Sequence, residues 1–482
     1  MPSPRTFPFP WRALLLVLGI GVFYVATLRE GHVWGDDHAA YLSHTRNIVE
    51  GRTYGDIGYL RAPTSINPMM YPPVFPLLLA PVYHFLGASL TPMKVEGIVF
   101  FVIALFFLYL LLRDHGEGTA LSTVALVGLC PYFWDFKDIL YSDFPFLAFA
   151  FAALWLSGKA PGHRESPRRA ILLGALVGLL IGIGFGARTV GVVLAPVIIL
   201  FDCWKARRIT AFGIAVGAVS LAVALGQNFV FQVKSDYLTP YKQILSLHSL
   251  AASPLYYLKC FSVVWENGYS VAFQWLLYGL AAVLALKGFW TRIRAGVSVL
   301  ELYFIAYFLF ICLFPWGGRR YLMPILPFYF FYILVGLQSL SRARSTPVRV
   351  ALHAGAALLI MISFLGRYSK HDWREIVGGE QSKDAGELVE FLKSADGNSG
   401  PVVFRKPRWL AFQSQLVSTD AYGSENVAEA TRYYDNVGAS RFVVSRVFHD
   451  EPERALALWV EQSGKKLTKG FENDSFTVYE LQ

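Results

Sequence analysis

Long apolar runs, separated by short polar segments, pattern the first three-quarters of the chain. The first spans Leu14 to Leu28. The others run Lys94–Leu112, Thr119–Phe133, Phe144–Ser157, Ala170–Gly186, Thr189–Phe201, Ala211–Phe231, Tyr269–Leu286, Val297–Phe314, Tyr321–Leu340 and Val350–Leu365. Runs of this length and apolarity predict membrane-spanning helices, about eleven in all. No alternating strands suited to a transmembrane barrel occur, so the fold expected is a polytopic α-helical membrane protein.

One further apolar stretch, "YPPVFPLLLAPVYHFLG" (Tyr71–Gly87), holds Pro72, Pro73, Pro76 and Pro81, which strain a regular spanning helix. Charge decides how to read it. If Arg5 and Arg12 are cytoplasmic and this stretch only dips into the interface, the basic segments fall on the cytoplasmic side. These are Arg113, Lys159–Arg169, Lys205–Arg208, Lys287–Arg294 and Arg342–Arg349. If it spans, the loops that follow it change sides, so the positive-inside rule favours the interfacial reading. The outer face then receives Asp36–Asp37, the loop Pro131–Asp143, Arg188–Gly191, Gln232–Gly268, "WGGRRY" (Trp316–Tyr321) and everything after Leu365.

The pattern changes after about Gly366. "AGELVEFLKSA" and "ERALALWVEQSG" have helical periodicity, while "PVVFRK", "RFVVSRVF" and "FTVYEL" read as strands. The expected division is a transmembrane module over 1–368 and a small extracytoplasmic α/β domain over 369–482, large enough to hold its own core. With no phosphate loop or evident catalytic cluster, the tail is expected to cover or present something at the outer face.

Composition agrees with the pattern. The chain of 482 residues is 55% hydrophobic and 16% aromatic, with a mean hydropathy of +0.43. Only 16% of its residues are charged, against roughly 25% in soluble proteins. The net charge of +9 lies largely in short loops between apolar runs, which suits membrane topology rather than nucleic-acid binding. Cys130, Cys203, Cys260 and Cys312 are scattered without metal-ligand spacing, so neither a disulfide framework nor a structural zinc site is expected. The first apolar run lacks a good cleavage site and is read as an uncleaved helix.

Candidate chemistry concentrates on the outer face. Asp36 and Asp37 follow the first helix and open "HAAYLSHTRNIVEG", a short amphipathic helix expected to lie along the interface. Either acid serves as an N-cap or as a free base. The Pro-Pro stretch offers a rigid aromatic wall beside them. Asp143, at the start of an apolar run, reads more readily as a cap than as a catalytic group. Arg188 interrupts an apolar run and demands an acid or an anionic ligand. Arg319 and Arg320, between Gly318 and Tyr321, suit a phosphate clamp or lipid-headgroup anchoring. A carboxylate base and arginines beside lipid together suit group transfer from a lipid-linked phosphate.

In their order, "GDDHAAYLSHTRNIVEG", "YPPVFPLLLAPVYHFLG", "YSDFPFLAFAFAALWL", "ARTVG" and "GGRRYLMPILP" resemble the membrane glycosyltransferases of the GT-C fold. The bacterial relatives of protein O-mannosyltransferases and lipid A aminoarabinose transferases are the most similar group. The resemblance covers most of Met1–Leu365. It implies inverting transfer from a polyprenyl-phosphate sugar to a glycolipid, polysaccharide or protein hydroxyl, at the extracytoplasmic face of the plasma (inner) membrane. By this resemblance Asp37 is the acid, with Asp36 as alternate. Tyr41, Tyr71, Asp143, Arg188, Arg319, Arg320 and Tyr321 fall where relatives line the donor site. The aminoarabinose transferases carry an acidic and a basic residue just before Pro-Pro, where this chain has Met70 and Tyr71. No bound metal or other cofactor is therefore expected. Two other classes compete: a transporter or flippase of a lipid-linked substrate, which would show repeats and midplane ions, and an assembly subunit indifferent to loss of Asp37.

Overall fold

The computed structural model describes residues 9–160, 166–233, 246–313, 317–342, 344–394 and 400–482. Arg5, Phe314, Trp316 and parts of the Lys159–Arg169 and Gln232–Gly268 segments lie outside that set.

Every apolar run folds as helix. In chain order the helices are α1 (Trp11–Ala26), α2 (Asp37–Val49), α3 (Val74–Leu86), α4 (Leu90–Leu112), α5 (Glu117–Gly128), α6 (Pro131–Asp135), α7 (Asp143–Ser157), α8 (Pro167–Ala187), α9 (Leu194–Ala206) and α10 (Ala211–Phe231). There follow α11 (Leu247–Cys260), α12 (Val271–Ala295), α13 (Val299–Cys312), α14 (Leu326–Ser341) and α15 (Thr346–Ser369). Helices are the expected outcome, because hydrocarbon forces each segment to satisfy its own backbone polar groups.

Among the described residues six helical stretches are long and apolar enough to cross a bilayer: Leu90–His115, Pro167–Ala187, Thr189–Ala206, Ala211–Phe231, Val271–Ala295 and Thr346–Ser369. A seventh passes as a pair, Glu117–Gly128 with Pro131–Asp138, bent by 46°. α1, α3, α7, α13 and α14 are apolar but shorter. Close helix contacts rest on small residues. A Cβ on Gly174 would lie 2.5 Å from the Phe212 carbonyl oxygen, and one on Gly178 would lie 2.7 Å from that of Val216. The α8 and α10 backbones therefore meet along a glycine stripe, as small residues permit in membranes.

After α15 the chain forms α16 (Lys383–Ser394), α17 (Pro407–Ser414), α18 (Val427–Val437) and α19 (Glu451–Gln462), with strands β2 (Val402–Phe404), β3 (Ser418–Asp420), β4 (Arg441–Ser445), β5 (Leu467–Glu472) and β6 (Phe476–Leu481). The sheet order is β1-β3-β2-β4-β6-β5. Its first strand, β1, is Tyr59–Leu60 from the first outer loop, in parallel register with Ser418 and Thr419. The sheet therefore takes one edge from residues far outside the tail.

The environment of α2 departs from expectation. An exposed amphipathic helix on the interface would keep a wet face, yet His38 through Asn47 are all buried. One side packs on α3, where the Tyr41 and Phe75 rings meet edge to face at 4.9 Å. The polar side is covered by the tail, and Arg46 donates to Gln415 at 2.5 Å. The polar face of α2 is thus covered by protein instead of water.

Candidate active site

The N-terminus of α2 carries the acid pair. Asp36 is the N-cap residue and Asp37 opens the first turn, but Asp36 makes no capping bond to its own helix. The simple capping role is not realised. The Asp36 carboxylate instead takes the Arg408 Nε–H at 2.6 Å and the Trp409 backbone N–H at 3.0 Å. Trp409 lies in the first turn of α17, whose N–H groups have no intrahelical acceptor, so Asp36 caps a helix of the tail.

Asp37 is gripped from two directions. Its Oδ1 accepts from the Tyr71 hydroxyl at 2.6 Å and from Arg408 Nη2 at 3.1 Å. Its Oδ2 accepts from Arg320 Nη2 at 2.7 Å. Burial alone would raise the carboxyl pKa, but Arg320 and Arg408 outweigh it and hold Asp37 below the ordinary value. Arg408 also donates to the Tyr71 hydroxyl at 3.0 Å, so one guanidinium ties Asp36, Asp37 and Tyr71 together.

The remaining candidates divide between the cavity wall and the layer behind it. A cavity of about 780 Å³ is lined by Asp37, Tyr41, Tyr71, Arg188, Arg319, Arg320 and Tyr321. Phe185, Val190, Val192 and Phe310 give it an apolar side. Asp36 and Asp143 do not line it. Asp143 is not a side-chain cap of α7; it forms an ion pair with Arg188, which answers the charge that Arg188 places among apolar residues. Arg188 breaks the run between α8 and the 3-10 turn Thr189–Val193. It lies 5.7 Å from the Tyr321 ring centre. Tyr41 stacks obliquely on Tyr71 at 4.6 Å, and its hydroxyl meets the Ser142 hydroxyl at 3.3 Å.

Arg319 and Arg320 occupy a 3-10 turn, Arg319–Leu322. They do not point together as a ready clamp. Arg319, 60% exposed, pairs with Glu266 at 2.7 Å. Arg320 turns to Asp37 and lies 4.5 Å from the Tyr141 ring centre. Each of the three cavity arginines thus has a carboxylate partner.

Both oxygens of Asp37 are taken in this structure, Oδ1 by the Tyr71 hydroxyl and Arg408 and Oδ2 by Arg320. His32, His38 and Glu380 form the one described cluster with metal-ligand atoms in mutual reach, within 4.8 Å. Their geometry suits a hydrogen-bonded clamp instead. His32 donates from Nδ1 to the Val33 carbonyl and accepts at Nε2 from the Leu140 N–H, so both nitrogens are committed. The His32 and His38 rings stack at 3.9 Å, and in-plane lone pairs of stacked rings do not converge on one ion. His38 Nε2 meets Glu380 Oε2 at 2.5 Å, joining α2 to the tail.

The tail covers the outer face, and the residues through which it does so were not singled out in the sequence: Arg408, Glu380 and Asp420 all reach the first outer loop. Asp420, buried, accepts from the Tyr59 hydroxyl at 2.5 Å and the Ala62 N–H at 3.2 Å. The signal in the sequence was "FRKPRW", a basic cluster followed by tryptophan.

Residues 70–229 match the model of the dolichyl-phosphate-mannose-protein mannosyltransferase family. No curated protein matches the sequence significantly. Among solved structures, ArnT from Cupriavidus metallidurans bound to undecaprenyl phosphate aligns over 98% of both chains at 13% identity, with a TM-score of 0.59. The Archaeoglobus fulgidus oligosaccharyltransferase AglB, in complex with an inhibitory peptide and a dolichol-phosphate, aligns over 94% of this chain and 71% of its own. It shows 14% identity and a TM-score of 0.62. The chain is a multi-pass membrane protein with the GT-C fold.

Proposed function

We propose that this protein is an inverting glycosyltransferase that moves a sugar from a polyprenyl-phosphate donor to a hydroxyl of a lipid-linked glycan or protein. The observation that carries this reading is the single cavity that brings Asp37 together with Arg188, Arg319 and Arg320 beside an apolar wall. A lipid phosphate needs those three surroundings at once: an apolar side for its chain, guanidinium groups for its charge and a base for the incoming hydroxyl. The ligands of the two structural neighbours, undecaprenyl phosphate and dolichol-phosphate, belong to the same chemical class.

In this reading the acceptor hydroxyl attacks the anomeric carbon from the face opposite the phosphate. Its proton passes to Asp37. The bond between the anomeric carbon and the phosphate oxygen breaks, and its electron pair leaves with the phosphate, whose growing charge is met by the cavity arginines. A single displacement inverts the anomeric centre. Asp36, committed to Arg408 and Trp409, holds the frame and is not the base.

The reaction is assigned to the outer face of the plasma membrane, with the N-terminus cytoplasmic and residues 369–482 extracytoplasmic, on the strength of the basic segments named above. The transporter alternative loses its main motive, since Arg188, the clearest intramembrane ion, is neutralised by Asp143. The test is mass spectrometry of envelope glycolipids and glycoproteins from cells with wild type, a deletion or Asp37→Asn at matched expression. Loss of one sugar from one glycan in both the deletion and the variant is expected. Full rescue by Asp37→Asn would overturn the assignment of the base.

A further inference from the structure

A carboxylate held by two arginines is a weak base, and the two arginines on Asp37 are not equivalent. Arg408 lies behind the acid pair with its side chain 1% exposed. It is bonded at once to Asp36, Asp37 and the Tyr71 hydroxyl. Moving it would strand buried carboxylates, which is strongly unfavourable. Arg320 is in the opposite position. Its side chain is 24% exposed, it stands on a short turn in the cavity wall, and Gly317 and Gly318 precede it. Its bond to Asp37 is to Oδ2 alone, while Tyr71 and Arg408 keep Oδ1.

We propose that Arg320 is shared between Asp37 and the donor's phosphate, so that donor binding draws Arg320 off Asp37 Oδ2 and uncovers the base. Arg408 is the positioning residue that stays. This rests on the function proposed above and adds an order of events to it. Without donor, Oδ2 is occupied and unavailable to a hydroxyl or to water. With donor, a phosphate oxygen replaces the carboxylate on Arg320, a like-for-like exchange of anionic partners for guanidinium. Oδ2 is then free to take the acceptor proton, and Oδ1 remains fixed so that Oδ2 faces the cavity. Of the three cavity arginines, Arg188 and Arg319 have Asp143 and Glu266 as partners, so only the Arg320 exchange touches the proposed base.

The exchange makes a prediction that a purely structural Arg320–Asp37 pair does not. Asp37 competes with phosphate for Arg320, so removing its charge should tighten lipid-phosphate binding while abolishing transfer. Undecaprenyl phosphate is the probe, titrated against the full-length protein in nanodiscs. Asp37→Asn is expected to bind about two- to fivefold tighter than wild type, the range of a partly exposed ion pair. Arg320→Gln is expected to bind more weakly, and in the double variant the gain from Asp37→Asn should vanish. An unchanged or lower affinity for Asp37→Asn, or a gain that persists in the Arg320→Gln background, overturns the exchange. If Asp37→Asn does not fold, Asp37→Ser decides by the same readout: tighter binding supports the exchange, and unchanged or weaker binding overturns it. The two readings fail separately. Asp37→Asn that loses transfer at unchanged affinity leaves the base assignment standing and removes the exchange. Asp37→Asn that gains affinity yet still transfers sugar removes the base assignment and leaves the exchange.

Discussion

The membrane module and the tail hold the same acid pair by opposite means. From the membrane side come Arg320 and Tyr71, both on the cavity wall. From the tail comes Arg408, buried and bonded three ways, with Glu380 on His38 and Asp420 on Tyr59 reinforcing the junction. The contrast separates two tasks that a list of contacts would merge. Geometry is set where charge is buried and fully paired, because disturbing it costs several kcal/mol. Exchange takes place where charge is partly exposed and singly paired, because there the cost is small.

That contrast is best attacked first at its shared centre. Asp37→Asn should lower transfer by about 10²-fold or more, the usual scale of a lost general base, measured as product per enzyme with native membrane expression. The next largest effect is expected on the fixed side. Arg408→Ala leaves the buried Asp36 without its guanidinium partner and Asp37 with only Arg320 and Tyr71, and should cost about 3–5 kcal/mol, seen as a lower unfolding temperature and faster proteolysis of the tail. Arg408→Lys should recover part of the stability but less of the transfer, since lysine cannot span three acceptors.

A pH effect comes third. Burial pushes the Glu380 carboxyl up to about 8, from an ordinary 4.5, and pushes the His38 imidazole down to about 4, from 6.5. Between 4.5 and 8 the unfolded chain binds fewer protons at Glu380 than the folded one, so stability falls as pH rises. Between 4 and 6.5 the unfolded chain binds more protons at His38, so stability rises. The two slopes offset each other below 6.5. Above it only the loss remains, at most about 2 kcal/mol between 6.5 and 8. His32, Asp36, Lys406 and the Gly35 N–H also face Glu380. Glu380→Gln should flatten the fall, checked by thermal unfolding at the two pH values. The smallest effect is expected at Arg319→Ala, whose exposed pair with Glu266 should be worth less than about 1 kcal/mol.

Much of this was legible in the sequence, and the reasons differ by region. Each apolar run predicted a helix correctly because hydrocarbon leaves few alternatives. Arg188 stood out as a charge inside an apolar run, Asp37 as one of an acid pair just beyond the first helix, Arg320 as one of two arginines on the outer face, and Tyr71 through the family resemblance. The tail's roles were not legible. Arg408 and Asp37 are 371 positions apart, and no local periodicity reports such a pairing. β1 has two residues and β3 three, too few for an alternating pattern to show. The burial of α2 was missed for the same reason: its polar face looked solvated because the surface that covers it lies in another part of the chain.

The edge strand Tyr59–Leu60 has a consequence for biogenesis. Its sheet partner, Ser418–Asp420, is made long after it, and the Tyr59–Asp420 bond joins positions 361 residues apart. At about 5–20 residues per second, the first outer loop waits tens of seconds after its own synthesis for the strand, the arginine and the glutamate that complete it. A ribosome that stalls within the helical region leaves a membrane-inserted chain whose acid pair has no frame.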